Sequence, residues 1–205
     1  MTCKTMSETG IQERVRQQGI EILYRSVRSG IRGSTFQKGD QWYIVVNRHD
    51  SPERRNFTIA HEYFEIQLND RQDLSLDEKH HLASKMAAEF LLPDETFGAQ
   101  ARIKNLHELK QEFPYVSYEV IARRLPYFRP VVVSILDNLQ VTSRFGAPTI
   151  NFPREISEIE MKVARRSYET GKTVTLKEPP LEVTGYYLEE TNNIVRVFVV
   201  AEVDE

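Results

Sequence analysis

The chain changes its spacing of hydrophobic and polar positions several times. A short polar helix is indicated around residues 8 to 18, and residues 20 to 47 then carry short apolar and β-branched runs separated by glycine-containing turns. That second pattern predicts a small antiparallel sheet. From residue 52 to residue 92 the apolar positions recur at helical spacing, and residues 94 to 126 continue in shorter helical pieces. The first part of the chain is therefore predicted to be a sheet followed by helices.

Capping residues divide the segment after the sheet into two long helices. Ser51 is a suitable N-cap, and Pro52 occupies the first helical position, where its missing N–H costs nothing. Ser75 and Glu78 have the spacing of a capping box for the second helix, which ends before Pro93. Two consecutive helices are therefore expected to pack against the small sheet.

The last third of the chain has its own series of elements. It comprises a hairpin with its turn at Asp137-Asn138, a helix over residues 155 to 170 that Gly171 ends, and strands over residues 181 to 188 and 194 to 203. The sequence thus predicts an α+β protein with two domains. Residues 1–127 form the antiparallel sheet and the helix pair, and residues 128–205 form a small α+β unit.

Composition narrows the class of protein without identifying its chemistry. The chain has 205 residues, a net charge of −3 and one cysteine, Cys3, which has no partner for an internal disulfide. No apolar run reaches the roughly 18 residues of a membrane span, and the N-terminal residues lack the hydrophobic centre of a signal peptide. We therefore expect a cytoplasmic protein without a membrane partner. The mixed charges, and the lack of a recognisable base-reading helix, disfavour direct nucleic-acid binding.

The first long helix carries polar residues on its apolar side. In the stretch "FTIAHEYFEIQL", His61 and Glu65 lie one turn apart on the stripe that should be buried. Burial of an imidazole and a carboxylate without partners costs several kcal/mol, so polar neighbours or a metal ion must compensate them. Glu62 lies about 100° around the helix, where a glutamate suits a general base. The alternative is a core histidine with a hydrogen bond and two glutamates that pair with arginines.

The second long helix offers a third candidate ligand. His80 falls on the side that carries small residues at positions 83, 84, 87 and 88, and close approach of the helices would bring it to His61 and Glu65. His81 is an alternative third ligand, and both histidines are otherwise interpreted as a solvated pair near the helix start. Two imidazoles and one carboxylate are a ligand set that zinc accepts.

The strings "RRNFTIAHEYFEIQL" and "HHLASKMAAEFLLP" together resemble the ImmA/IrrE metallo-endopeptidases. The family signature is similar to R-F-T-L-A-H-E-x-x-H followed by E-x-x-A-N-x-F-A-A-x-L-L-M-P, and the resemblance spans roughly residues 8 to 126. It implies a zincin-like peptidase domain with a zinc cofactor, followed here by a unit with a regulatory or sensory role. It also implies a protein substrate, namely a helix-turn-helix transcriptional repressor whose cleavage or inactivation switches on mobile-element or stress genes.

Two positions depart from that signature. Glu65 stands where the family has its second histidine, and His80 stands where the family has a glutamate. The exchange keeps two imidazoles and one carboxylate, so we expect His61, Glu65 and His80 to hold zinc and Glu62 to take the proton from the attacking water. A second hypothesis is a catalytically inactive regulator that binds a repressor or a signal without proteolysis. The strand "QWYIVVN" is interpreted either as an edge that pairs with an extended substrate or as ordinary core sheet.

Overall fold

The computed structural model describes residues 8–27, 32–189 and 194–203. The helices are α1 Glu8–Gln17, α2 Pro52–Leu68, α3 Leu76–Leu91, α4 Asp94–Ala101, α5 Leu106–Glu112, α6 Tyr118–Arg124 and α7 Glu158–Thr170, with a 3₁₀ turn at Leu125–Tyr127. The strands are β1 Glu21–Arg25, β2 Gly33–Lys38, β3 Gln41–Asn47, β4 Val131–Asp137, β5 Gln140–Gly146, β6 Val174–Glu178, β7 Leu181–Glu189 and β8 Val195–Val203. The α+β class is confirmed. Cys3 lies outside the described residues.

Two compact units share the chain, and each takes residues from two segments. The first unit comprises Met1–Phe97 and Lys110–Ser117, and the second comprises Gly98–Leu109 and Tyr118–Glu205. The division into domains after residue 127 stays a proposal, because compactness does not establish which segments fold independently. No helix in the described part of the chain is both long and apolar enough to cross a membrane.

The sheet of the first unit has the strand order β1-β3-β2. Strands β2 and β3 form an antiparallel hairpin around Gly39, whose positive φ of 60° suits glycine. The hairpin leaves the other edge of β3 free, and β1 adds there in parallel. The sheet is therefore mixed, whereas a purely antiparallel sheet was predicted. The interpretation of "QWYIVVN" as a substrate-pairing edge is wrong, because this strand, β3, has a partner on both sides; within the described residues β2 is an edge.

Helices α2 and α3 begin as their capping residues predict. Ser51 accepts a hydrogen bond from the backbone N–H of Arg54, and Ser75 and Glu78 form both halves of a capping box. Helix α2 packs on strands β2 and β3, and α3 packs on α2. Fully buried members of this core are Ile44, Val46, Ile59, Ala60, Ala83 and Ala87. The two alanines of α3 are small enough to let α3 lie close to α2, which is the arrangement that the candidate site requires.

The sheet of the second unit is antiparallel throughout, with the strand order β5-β4-β8-β7-β6. Helix α7 begins with a capping box at Ser157, ends at Gly171 with a positive φ of 65°, and packs on this sheet. The β4–β5 turn has positive φ values at Asn138 and Leu139, one residue later than predicted. Strand β6 was not predicted. Its sequence, "VTLKE", is short and mostly polar, and it gains its structure from pairing with β7.

Candidate metal centre

Helix α2 places His61 and Glu65 on the same side, one turn apart. Glu65 Oε1 lies 3.1 Å from His61 Nε2. His61 is 8% exposed, whereas the side chain of Glu65 is 31% exposed. The predicted polar pair on the apolar stripe is therefore present, with its inner member buried and its outer member reaching solvent.

Helix α3 brings His80 to the same point. His80 Nδ1 lies 3.2 Å from His61 Nε2 and 2.9 Å from Glu65 Oε1. The two imidazole rings meet edge to face, with 4.5 Å between their centroids and 73° between their planes. The neighbouring histidine, His81, is exposed and does not belong to this group. Of the two histidines left open by the sequence, the geometry favours His80 as the third ligand.

The three potential ligand atoms form a nearly equilateral triangle. Its sides measure 2.9, 3.1 and 3.2 Å. Two ligands of one tetrahedral zinc ion at bond lengths of about 2.0–2.1 Å lie roughly 3.3 Å apart, so the triangle is slightly tighter than a zinc site. Two facing ring nitrogens can share only one proton, and a cation satisfies all three lone pairs at once. The donor set and its spacing therefore fit zinc.

Ser84 supports the inner ligand from the other side of its ring. Its Oγ lies 3.1 Å from His61 Nδ1, and it comes from α3, one turn after His80. When His61 Nδ1–H donates to this hydroxyl, Nε2 carries the free lone pair that a metal ion requires. Burial also lowers the pKa of His61, although the charge of Glu65 opposes this shift, and the neutral form favoured by burial is the form that binds metal.

Glu62 is buried beside the triangle without belonging to it. Its exposed fraction is 7%, and burial, followed by the charge of Glu65, raises its pKa to about 7. A carboxylate with that pKa can both accept and return a proton near neutral pH. Its position is set by the edge strand: a Cβ atom added to Gly33 would lie only 3.0 Å from Glu62 Oε1. Glycine at the start of β2 therefore gives this carboxylate its place against the sheet.

Sequence reasoning missed two contributors to this site. Ser84 was noted only as a small residue between the helices, although its four-residue spacing from His80 was a usable signal. Gly33 had no local signal, because its role comes from the approach of a distant helix. The predicted residues His61, Glu62, Glu65 and His80 do lie together, and metal binding by three of them stays a prediction.

A helix pair that presents this ligand set beside a small sheet defines a zincin-like domain. Residues 15–126 match the IrrE N-terminal-like domain, the Peptidase_M78 family, which covers more than half of the chain. The protein therefore belongs to this family, whose peptidase character is of the metal-dependent type, and the resemblance found in the sequence is confirmed.

A solved structure supports the fold over nearly the whole chain. The protein is similar to a Mycobacterium tuberculosis transcriptional regulator, with a TM-score of 0.74, 17% sequence identity, and coverage of 96% of this chain and 69% of that chain. Identity at this level shows a shared fold. None of the curated proteins matches the sequence.

Proposed function

We propose that this protein is a zinc-dependent endopeptidase that cleaves a protein partner. The observation that carries the proposal is the convergence of His61, Glu65 and His80 within 3.2 Å of one another. Membership of a metallopeptidase-type family supports it. Three protein ligands are also the usual number for catalytic zinc, since structural zinc sites normally have four.

The residues of the site have two roles, metal binding and proton transfer. His61, Glu65 and His80 would hold the ion, and zinc supplies Lewis-acid polarisation of a carbonyl and a lowered pKa for water. Glu62 accepts the proton of the water that attacks the peptide carbonyl, and it later donates that proton to the leaving amine. Burial of the Glu62 carboxyl raises its pKa to about 7, and this value suits both steps.

The substrate class that we propose is a helix-turn-helix transcriptional repressor. The family resemblance supports this choice, and so does the similar solved structure, whose name is that of a transcriptional regulator. Strand β2 offers an edge beside Glu62 to which an extended segment can add as a further strand. Cytoplasmic location and a role in stress or mobile-element responses belong to the same proposal.

The change Glu62→Gln tests the catalytic assignment. Glutamine keeps the size of the side chain but cannot act as a base, so cleavage of a cognate repressor should fall at least about a hundredfold. Zinc content and melting temperature should stay near those of the parent. Glu13→Gln provides the matched control, because Glu13 is exposed on α1 and the chemical change is the same. The natural first substrate to test is a repressor encoded beside this protein.

The outcome also separates the two function hypotheses. If the Glu62→Gln variant cleaves the repressor as fast as the parent, Glu62 is not the base. If the parent binds zinc and binds the repressor but never cleaves it, the protein is the non-catalytic regulator of the second hypothesis.

A further inference from the structure

Five arginines lie in the chain segments around the C-terminal end of β3 in the first sheet. This arginine patch consists of Arg25, Arg32, Arg48, Arg54 and Arg55. Three of its members are exposed and two are half-buried. The protein as a whole has a net charge of −3, so the rest of the chain is correspondingly more acidic.

Backbone contacts around the C-terminal end of β3 hold the patch together. Arg25 pairs with Asn47 across the parallel strands, and the backbone N–H of Asn47 donates to the carbonyl of Arg32. The N–H of Arg48 donates to the carbonyl of Arg25, and Arg55 Nη1 lies 3.3 Å from the carbonyl oxygen of Arg48. These hydrogen bonds bring together the segments that carry Arg25, Arg32, Arg48 and Arg55.

Within the described residues, the five arginines of the patch have no carboxylate as an ion-pair partner. Arg25 donates to the carbonyl of Tyr24, whereas Arg55 donates to the carbonyl of Arg48 and lies over the ring of Tyr24. Glu53, the acidic residue next to Arg54 in sequence, forms its ion pair with Lys110, with 3.0 Å between Glu53 Oε1 and Lys110 Nζ. Asp50, two residues after Arg48, offsets one positive charge, and its buried Oδ2 has no hydrogen-bond partner. The remaining excess of guanidinium groups without a carboxylate partner favours binding of an anionic partner.

Two arginines of the patch, Arg32 and Arg54, adjoin residues that contact Glu62 or pack beside it. Arg32 directly precedes Gly33, where the edge strand β2 meets Glu62. Arg54 lies one turn before Thr58, whose side chain packs against Gly33 and whose hydroxyl donates to the Arg54 carbonyl. A segment that adds to β2 advances about 3.3 Å per residue, so the patch is within reach of residues roughly two to four positions from the bond beside Glu62.

We propose that the arginine patch binds an acidic segment of the protein substrate, adjacent to the bond that is cleaved. The proposal rests on the peptidase function proposed above and specifies its substrate as one with Asp or Glu residues on the side of the cleaved bond that passes Arg32. An acidic peptide is favoured over nucleic acid because the patch adjoins a strand edge that can pair with a peptide. The acidic remainder of the chain would also repel a long polyanion.

Binding to the non-cleaving Glu62→Gln variant provides the test, since it does not depend on turnover. The probes are fluorescein-labelled peptides of about 12 residues, one with a central Asp-Glu-Asp-Glu and one with Asn-Gln-Asn-Gln at the same positions. We expect the acidic peptide to bind at least tenfold more tightly at low salt. The preference should shrink as ionic strength rises from about 0.05 to about 0.5 M, because the Debye length falls from about 14 to about 4 Å.

Charge reversal locates the binding surface. Arg32→Glu combined with Arg48→Glu, both at exposed positions, should weaken binding of the acidic peptide at least tenfold and leave the neutral peptide unaffected. Arg165→Glu combined with Arg166→Glu is the control, because these exposed residues of α7 give the same change in net charge elsewhere. Circular dichroism and zinc content confirm that both variants keep the fold.

Three results would overturn the proposal. One is equal binding of the two peptides, or no binding of either. Another is an equal loss of binding in the α7 control, which would indicate net charge in place of a local site. The third is displacement of the acidic peptide by a DNA duplex that binds more tightly than the peptide and loses its binding in the Arg32→Glu/Arg48→Glu variant. Absence of repressor cleavage by the parent, with acidic-peptide binding intact, would instead count against the peptidase function.

Discussion

Replacement of Gly33 by alanine should destabilise the first unit through a specific collision. The added Cβ would lie 3.1 Å from the carbonyl oxygen of Val45 and far inside van der Waals distance of Thr58 Cγ2. Carbon atoms in contact require about 3.5–4.0 Å, and Thr58 is 5% exposed on a helix packed against the sheet, so its methyl group has little room to move.

The magnitude follows from two opposing effects. Overpacking of a buried site costs typically about 1–3 kcal/mol. Alanine also restricts the unfolded chain, which returns roughly 0.5–1 kcal/mol because the φ of Gly33 is not in the positive region. We therefore expect Gly33→Ala to lower the free energy of unfolding by about 1–2 kcal/mol.

Thr58→Ser supplies the compensating change. Serine keeps the hydroxyl that donates to the Arg54 carbonyl at 3.0 Å, but it lacks the methyl group that the new Cβ at position 33 would strike. Alone, this change should cost about 1 kcal/mol for one lost methyl group. In the Gly33→Ala/Thr58→Ser double variant the contact with the Thr58 methyl group is absent, while the close approaches to the Val45 carbonyl oxygen at 3.1 Å and Glu62 Oε1 at 3.0 Å remain. The combined loss should therefore be smaller than the sum of the single losses by about 1 kcal/mol.

Urea unfolding followed by tryptophan fluorescence measures these free energies. The protein has one tryptophan, Trp42, and it lies in β3 of the affected sheet. Strict additivity of the two changes, within about 0.3–0.5 kcal/mol, would show that Gly33 and Thr58 do not collide and would refute the described packing of β2 on α2.

Two further changes probe the ligand support and the second unit. Ser84→Ala should weaken zinc binding about tenfold, because His61 Nδ1 loses its partner, whereas Ser84→Thr should bind as the parent does; titration against a chromophoric chelator measures both. Glu160→Gln should cost about 3–5 kcal/mol of unfolding free energy at pH 7, because it leaves the Arg144 side chain, which is 8% exposed, without its carboxylate at 2.7 Å. Burial raises the pKa of Glu160, but bonds from Arg144 and the helix cap outweigh this and hold it below the ordinary 4.5. The stabilisation is therefore present above about pH 4.5 and is lost as pH falls through the lowered pKa, so urea midpoints of parent and variant should converge in acid.

Local signals in the sequence were sufficient to predict where α2 and α3 begin and where α7 ends. Ser51 and Pro52 located the start of α2, Ser75 and Glu78 located the start of α3, and Gly171 located the end of α7, because a cap acts on backbone groups within the same turn. Helical periodicity likewise placed His61 and Glu65 on one side. These features depend on neighbours in sequence, which a single chain displays directly.

Features that depend on distant partners were missed or misplaced. The sequences of β1 and β3 do not indicate that the two strands pair in parallel. Strand β6 depends on pairing with β7 more than on its own β-propensity. The contact between Gly33 and Glu62 joins a strand to a helix that comes much later, so neither residue indicates it alone. Helical spacing favoured His80 over His81, but only the packing of α3 on α2 brings the His80 ring to His61.

Zinc content, measured by elemental analysis of the purified parent and two single variants, tests the metal centre most directly. The ligand triangle contains His80 and excludes His81, which is exposed beside it on the same helix. We expect about one equivalent of zinc in the parent and in His81→Ala, and almost none in His80→Ala, with all three folded by circular dichroism. A parent that purifies without zinc and fails to take it up, or a His80→Ala variant that retains it, would contradict a metal centre built from His61, Glu65 and His80.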